Sequence, residues 1–434
     1  MIPASEKAHP AQRAKDMAPS VADRPSIFDM FLDPSIMADP YPLYRRVLAA
    51  GPSHDDDGLP VILTSYQDVS AALANERLST DDRHDAMQKA MAASGALPPQ
   101  LIAMLDRRSF LHRDPPDHTR LRGLAEQALT PSRIAAAVEA GLRVGDDLLG
   151  QAAGRGHLDL VADFAYPLPA AVISHLLGLS ADSGPDVPWW RSQMSADFEA
   201  PAVAGEDCAG YSNSVQQQMV ARFDDIISAR RRHPADDIIT DLLGHASAGA
   251  LSSGEVNDTC RLLAVAAHET TTCLIANGML ALLRHPGQLA LLRDDPSLAA
   301  SAVEEVLRYD TPIQFTRRVA AGDTKVNGVP VGAGRMVLAW MAAANRDPAR
   351  FAEPDRFDIR RQDQGHLGFG GGAHGCLGAR LARPLARAVL AVVCARLAGP
   401  ELIADPPPYL PSAVHAIESL PVSFTSVRPA IRRP

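Results

Sequence analysis

Leu, Ala and Arg recur at helical spacing over long stretches of this chain. The periodic segments run from about Pro131 to Leu149, Ala170 to Leu177, Gln216 to Arg232 and Val256 to Arg284. Runs with strand character are short: Val61-Ile62-Leu63-Thr64, Thr324-Lys325-Val326 and Met336-Val337-Leu338. Asn327-Gly328 and Gly332-Ala333-Gly334 supply turns around the last two. The pattern predicts a mainly α fold with small β-sheets. No internal repeat and no long Gly/Ser- or Pro-rich linker divides the chain. A flexible tail over residues 1–25 followed by one large domain over 26–434 is therefore expected.

One predicted helix differs from the rest. Ser252 and Glu255 have capping-box spacing, and His285-Pro286 closes the segment. Its roughly 30 residues would span about 45 Å. The middle, Leu262-Leu263-Ala264-Val265-Ala266-Ala267, is apolar all round and predicts burial. His268-Glu269-Thr270-Thr271-Thr272 then interrupts it before Cys273-Leu274-Ile275 resumes the apolar run. Carboxylates and hydroxyls are costly to bury unless something uses them. A functional helix crossing the centre of the molecule is the reading.

Of 434 residues, 46% are hydrophobic and 21% charged, enough to build and cover a sizeable core. A net charge of −9 argues against general nucleic-acid binding. The five cysteines, Cys208, Cys260, Cys273, Cys376 and Cys394, are unevenly spaced without a CxxC pair. They predict neither a disulfide framework nor a zinc knuckle, and point to a reducing, cytoplasmic setting. Met1 to Pro25 has no apolar h-region, and no apolar run approaches ~18 residues, so no membrane span is expected.

The segment Phe369-Gly370-Gly371-Gly372-Ala373-His374-Gly375-Cys376-Leu377-Gly378 runs into Ala379-Arg380-Leu381-Ala382-Arg383. Its glycines let backbone approach a flat ligand closely. Cys376 stands where loop becomes helix, and free amides there lower a thiol's pKa. Other readings of the residues alone remain open: a small buried hydrophobe, a Cys/His nucleophile pair with His374, or a phosphate loop. The two-residue spacing weighs against the second. No preceding strand or GxxxxGK pattern supports the third.

Taken whole, the segment matches the haem-binding signature Phe-Gly-x-Gly-x-His-x-Cys-x-Gly at every specified position, so the chain resembles the cytochromes P450 of the soluble bacterial class. The resemblance implies the cytochrome P450 fold, with the long central helix crossing a heme b (iron protoporphyrin IX). It makes Cys376 the thiolate ligand of the metal and sets Phe369, Gly370, His374 and Gly378 against the cofactor, His374 near a propionate. The family usually continues Leu-Ala-Arg-x-Glu, whereas this chain has Leu381-Ala382-Arg383-Pro384-Leu385. A proline there predicts an interrupted helix.

Glu305-Val306-Leu307-Arg308 has ExxR spacing, which sets both side chains on one helix face; Glu353-Pro354-Asp355-Arg356 has it too. By resemblance and order, Glu305, Arg308 and Arg356 form a structural triad. Asp114-Pro115-Pro116-Asp117 signals a helix start, with His118 and Arg122 four residues apart on one face. That face is either a solvated basic one or, by resemblance, holds haem propionates together with Arg318. Ala266-Ala267-His268-Glu269-Thr270-Thr271 resembles the oxygen-activation segment, with Ala267 where Gly is commoner. It implies a catalytic pair, Glu269 relaying protons and Thr270 holding oxygen; Thr270 and Thr271 bonding back to helix carbonyls is the alternative. Pocket residues implied are Leu263, Ala267, Ile313, Phe315 and Val414, within wider stretches Asp82–Phe110, Trp189–Gln217 and Ala413–Ile417.

The resemblance runs from about Asp39 to Phe424 and implies a haem-thiolate monooxygenase. It would use dioxygen to hydroxylate or epoxidise a lipophilic small molecule, in secondary metabolism. No flavin or iron–sulfur segment is recognisable, so electrons from NAD(P)H are expected through a separate ferredoxin and ferredoxin reductase. Arg113, Arg120, Arg380, Arg383 and Arg387 are the expected docking surface. Two alternatives remain: a peroxide-driven enzyme, whose kind often lacks the acid–alcohol pair, and a non-catalytic, partner-activating member of the fold, which tends to lose the cysteine.

Overall fold

The computed structural model describes residues 34–53, 60–81, 109–179, 206–407, 409 and 413–430, with only the backbone over 206–216. The tail over 1–25, residues 82–108 and residues 189–205 of the two wider pocket stretches lie outside the described residues.

Among the described residues, the helices of nine or more residues are α1 (Tyr41–Ala50), α2 (Tyr66–Ala74), α3 (Asp117–Ala128), α4 (Pro131–Ala152), α5 (Pro167–Leu176), α6 (Glu206–Arg232), α7 (Ile238–Ser247), α8 (Ser253–Arg284), α9 (Pro286–Asp294), α10 (Ala299–Tyr309) and α11 (Ala379–Arg396). Their starts follow local chemistry. Ser65 caps α2 through Asp68, and Thr130 caps α4 ahead of Pro131. At α8 both halves of the Ser252–Glu255 capping box form.

Helix α8 is the long helix expected from the pattern. It packs against α3, α5, α6, α7, α9, α10 and α11, and its second half is buried without a break from Thr271 to Leu282. Among the described residues no helix is long and apolar enough to cross a membrane. Helix α6 begins ten residues earlier than the periodicity indicates, at Glu206 rather than Gln216. Helix α11 runs straight through Pro384. The proline removes only the amide that the Arg380 carbonyl would accept, and Arg380 is exposed, where water can take that role.

The strands are β1 (Val61–Leu63), β2 (Leu78–Ser79), β3 (His157–Asp159), β4 (Thr316–Ala320), β5 (Thr324–Val326), β6 (Val329–Val331), β7 (Met336–Ala339), β8 (Leu397–Ala398), β9 (Glu401–Leu402), β10 (Pro421–Ser423) and β11 (Ser426–Val427). The largest sheet has the order β1-β7-β4-β2, with β1 parallel to β7 and Val61 opposite Val337. Hairpin β5–β6 turns at Asn327 (φ 46°) and Gly328 (φ 90°). Positive φ at both central residues is the type I′ hairpin turn. Among the described residues the core holds two large apolar clusters, beside a small third one of Cys273, Val414 and Ala416. One lies among the helices; the other joins the sheet to α2 through Val61, Leu63, Val69, Leu73 and Val337.

Candidate active site

The cysteine loop is closed by its own backbone. The Cys376 amide donates to the Phe369 carbonyl at 2.9 Å, and the Gly370 amide to that of Leu367 at 2.8 Å. Gly370 (φ 67°) and Gly372 (φ 63°) take left-handed conformations. A Cβ on Gly372 would collide with the Leu73 carbonyl oxygen at the end of α2. This glycine thus lets the cysteine loop lie against the end of α2. Gly372→Ala should lower stability by more than the ~1–2 kcal/mol of the backbone conformation alone. Gly371→Ala, with φ −170° and its nearest atom 3.5 Å away, should stay close to wild type in the same thermal melt.

Cys376 is the exposed thiol among the described cysteines; Cys260, Cys273 and Cys394 are buried. Surrounding protein nevertheless desolvates its sulfur and raises its pKa, while the amides of Gly378 and Ala379 pull the other way. Helix-start stabilisation is therefore present, but burial outweighs it. Gly378 precedes α11, and a Cβ there would sit 3.7 Å from Cys376 Sγ, an ordinary contact. The Phe369 ring lies under the Arg383 guanidinium at 4.5 Å.

A polar edge borders the loop. The rings of His118 and His374 are 4.2 Å apart, and His374 Nε2 is 3.1 Å from Thr80 Oγ1. Burial first, then the neighbouring His118 and Arg318, push His374 down to about 3, so it is neutral. His118 is lowered too, by burial and then by Arg122. His118 is buried, and its Nε2 has no hydrogen-bond partner. Arg318 is likewise buried and, among the described residues, donates to Thr316 Oγ1 (2.9 Å) and the Arg317 carbonyl (2.8 Å). Burial lowers it to about 10, which leaves it cationic at neutral pH. Arg122 is already engaged, Nε to Glu126 at 3.1 Å.

On α8, Ala266 is exposed although the helix is wholly buried from Thr271 to Leu282. Leu263, Ala267 and Thr270, half-buried, share its face by helical spacing. Thr270 Oγ1 donates to the Ala266 carbonyl at 2.7 Å, the back-bond that the residues alone left open. Glu269 is half-buried beside it. His268 points elsewhere: fully buried, its Nε2 lies 3.1 Å from the Tyr166 carbonyl, and burial keeps it neutral with a pKa of about 4.

The family model for Cytochrome P450 matches residues 289–396, which hold both α10 and the cysteine loop. The biotin biosynthesis cytochrome P450 of Bacillus subtilis (strain 168) is 34% identical, across 89% of this chain and 97% of its own length. This chain belongs to the cytochrome P450 family. The vitamin D(3) 25-hydroxylase of Pseudonocardia autotrophica is 38% identical, across 80% of this P450 and 83% of its own length. Among solved structures, P450BioI in complex with a hexadec-9Z-enoic acid-ligated acyl carrier protein superposes with a TM-score of 0.80 at 33% identity, covering 90% of this P450 and 99% of that chain. As a P450 the protein is a haem monooxygenase acting on small organic molecules.

The residues fit a haem. A haem would bring its own ring nitrogens to the iron and would take a thiolate from the protein. Cys376 Sγ is accessible for that, and coordination deprotonates a thiol that burial otherwise keeps protonated. The partnerless His118 nitrogen and the carboxylate-free Arg318 are donors suited to propionates.

Two expectations need correction. Glu305 and Arg308 do form a buried two-pronged pair, at 2.8 and 2.9 Å. The further cation on Glu305 is Arg361 (3.1 Å), not Arg356. The Arg356 side chain is 57% exposed and held by Glu353 of its own ExxR pair (3.1 Å) and by Asp358 (3.4 Å). It serves Arg308 only through its carbonyl, at 3.1 Å. Second, the docking arginines are not all free surface. Arg113 is buried 3.8 Å from Asp81, while Glu255 holds Arg120 (2.5 Å) and Glu304 holds Arg383 (2.7 Å). Arg380 and Arg387 are exposed.

Of the pocket residues, Ile313 and Val414 meet in an isolated β-bridge and pack with Cys273. Leu263, Ala267 and Phe315 are partly buried against the main core instead. Thr80, next to β2, joins the His374 edge without any signal in the sequence.

Proposed function

We propose that this P450 oxidises a lipophilic small molecule of secondary metabolism in the cytoplasm. NAD(P)H would supply electrons through a separate ferredoxin and its reductase. Bound as heme b, the cofactor supplies dioxygen reduction and transfer of one oxygen atom. Cys376 is its thiolate ligand, with His118, Arg122, Arg318 and His374 along its propionate edge. The reading rests on one observation, the accessible stripe of α8 that carries Leu263, Ala266, Ala267 and Thr270.

The apolar members of that stripe, with Ile313, Phe315 and Val414, exclude water and favour an apolar ligand. Thr270 holds a proton at its hydroxyl and exchanges its bond to the Ala266 carbonyl for one to the reacting oxygen. Glu269, half-buried beside it, replenishes that proton. A vitamin D(3) hydroxylase and a fatty-acyl complex among the relatives support the substrate class. Arg380 and Arg387 remain the cations open to an acidic electron donor.

Thr270→Ala tests the proton route. The variant is expected to accept electrons at the wild-type rate but to release hydrogen peroxide in place of product, measured as peroxide and product per NADH with ferredoxin and reductase. Unchanged coupling removes Thr270 from the mechanism. Turnover with peroxide alone, equal to that with the reductase chain, would replace the ferredoxin reading.

A further inference from the structure

Behind the Ile313–Val414 bridge lies a buried polar assembly to which the monooxygenase reading assigns no role. Asp310 follows α10 and is buried. His415 Nδ1 is 2.6 Å from its Oδ1, and the Tyr409 hydroxyl donates to its Oδ2 at 2.9 Å. The His415 ring is 1% exposed and stacks on Tyr409 with centroids 3.3 Å apart. Farther back, the Arg346 guanidinium lies over Tyr41 (4.0 Å) and Tyr309 (3.8 Å).

The backbone is clamped at the same place. The Gln314 amide donates to the Ala413 carbonyl (2.8 Å) and the His415 amide to the Pro312 carbonyl (2.7 Å), which brackets Val414 against Ile313. From α8, Asn277 Nδ2 donates to the His415 carbonyl at 3.0 Å. Cys273, one turn before Asn277, packs against Val414, Ala416 and Ile313. Thr270, Cys273 and Asn277 are spaced i, i+3, i+7 and form one stripe of α8. The stripe thus runs from the hydroxyl at the reacting end to the anchor of residues 413–417.

A buried polar pair is seldom more stabilising than apolar residues of equal volume. What it supplies is direction, because a 2.6 Å charge-assisted bond fixes a ring where apolar packing would let it slide. Val414, which precedes His415, lies in that bridge and packs against Cys273 and Ile313.

We propose that His415 is a specificity-determining positioning residue. Held by Asp310, Tyr409 and Asn277, it sets how far Val414 projects between Ile313 and Cys273, and so which lengths and shapes of apolar ligand fit beside Thr270. The inference rests on the reading of Val414 as a pocket wall.

The test uses haem-loaded protein and n-alkylimidazoles of stepped chain length. Their ring nitrogen ligates the iron and their tails measure the pocket, so no turnover is needed. His415→Phe keeps a stacked ring and loses the bond to Asp310; His415→Asn keeps a donor near the Nδ1 position. We expect His415→Phe to change the ratio of longest-chain to shortest-chain Kd by about tenfold. His415→Asn should restore the ratio to within about threefold of wild type. Both should keep the ferrous-carbonyl band of a thiolate-ligated haem. A wild-type ratio in His415→Phe, or an equal shift in both variants, overturns the proposal. Should His415→Phe not fold, Tyr409→Phe decides, since it strips one bond from Asp310 and keeps every ring: a smaller shift in the same direction supports the proposal and an unchanged ratio overturns it. Val414→Ala separates the two readings. If it leaves the ratio unchanged, the pocket assignment fails and the proposal with it; if it changes the ratio while His415→Phe does not, only the positioning role fails.

Discussion

Cys376→Ser is expected to abolish turnover and the red-shifted ferrous-carbonyl band while leaving the folded protein in place. A serine hydroxyl is a far weaker acid than a thiol. The Cys376 position, where surrounding protein already raises the thiol's pKa, holds the hydroxyl protonated more firmly still. No anionic ligand is then available to donate charge to iron. The loop should survive, because the bond that closes it joins the Cys376 amide to the Phe369 carbonyl and is indifferent to the side chain. An exposed, near-isosteric change of this kind alters stability by about 0.5 kcal/mol or less. Circular dichroism and a thermal melt therefore accompany the spectrum: an intact fold with a shifted or lost carbonyl band is the expected result. A thiolate-type band that persisted in Cys376→Ser would place another sulfur on the iron. Among the cysteines whose side chains are described, Cys260, Cys273 and Cys394 are buried, and Cys376 is the exposed one.

What the sequence made legible was mostly what short range decides. The Ser252–Glu255 capping box, the Asn327-Gly328 turn and the extent of α8 are set within a few residues of themselves, and each formed where the pattern placed it. The cysteine loop was legible for the same reason. Pairings across the chain were not. Spacing and order favoured Arg356 as the third member of the triad, yet Arg361, five residues later, reaches Glu305 because the Arg356 side chain is diverted outward to Glu353. Nothing local distinguishes those two arginines. Arg113 reads as a surface cation in the sequence and is buried beside Asp81. The Asp310–His415–Tyr409 assembly joins residues about a hundred positions apart, and no periodicity or motif relates them. The Thr270 hydroxyl shows a different limit: its back-bond to Ala266 is a local option that the residues permit equally with an outward orientation.

Removing the Glu305 carboxylate should destabilise the holoprotein more than any other change to this ion-pair group. Glu305 Oε1 accepts from Arg308 (2.9 Å) and from the Asp358 amide (2.9 Å), and Oε2 from Arg308 (2.8 Å) and Arg361 (3.1 Å). Arg308 also donates to the carbonyls of Asn345 (3.1 Å), Pro354 (2.8 Å) and Arg356 (3.1 Å), so it cannot swing to solvent without breaking those bonds. Glu305→Ala thus strands a buried guanidinium, for which about 3–5 kcal/mol is expected. Against a total of roughly 5–15 kcal/mol for a folded protein, that is enough to lower haem retention as well as the melting temperature. Arg361→Ala removes one charged bond from Glu305 and leaves the inner pair intact, an expected loss of about 1.5–3 kcal/mol. Arg356→Ala removes only exposed pairs, worth about 0–1 kcal/mol, because its carbonyl contact to Arg308 survives the substitution. Denaturant titration of the three holoproteins should therefore rank Glu305→Ala, then Arg361→Ala, then Arg356→Ala. A loss in Arg356→Ala equal to that in Arg361→Ala would return Arg356 to the triad, since an exposed pair with Glu353 cannot account for it.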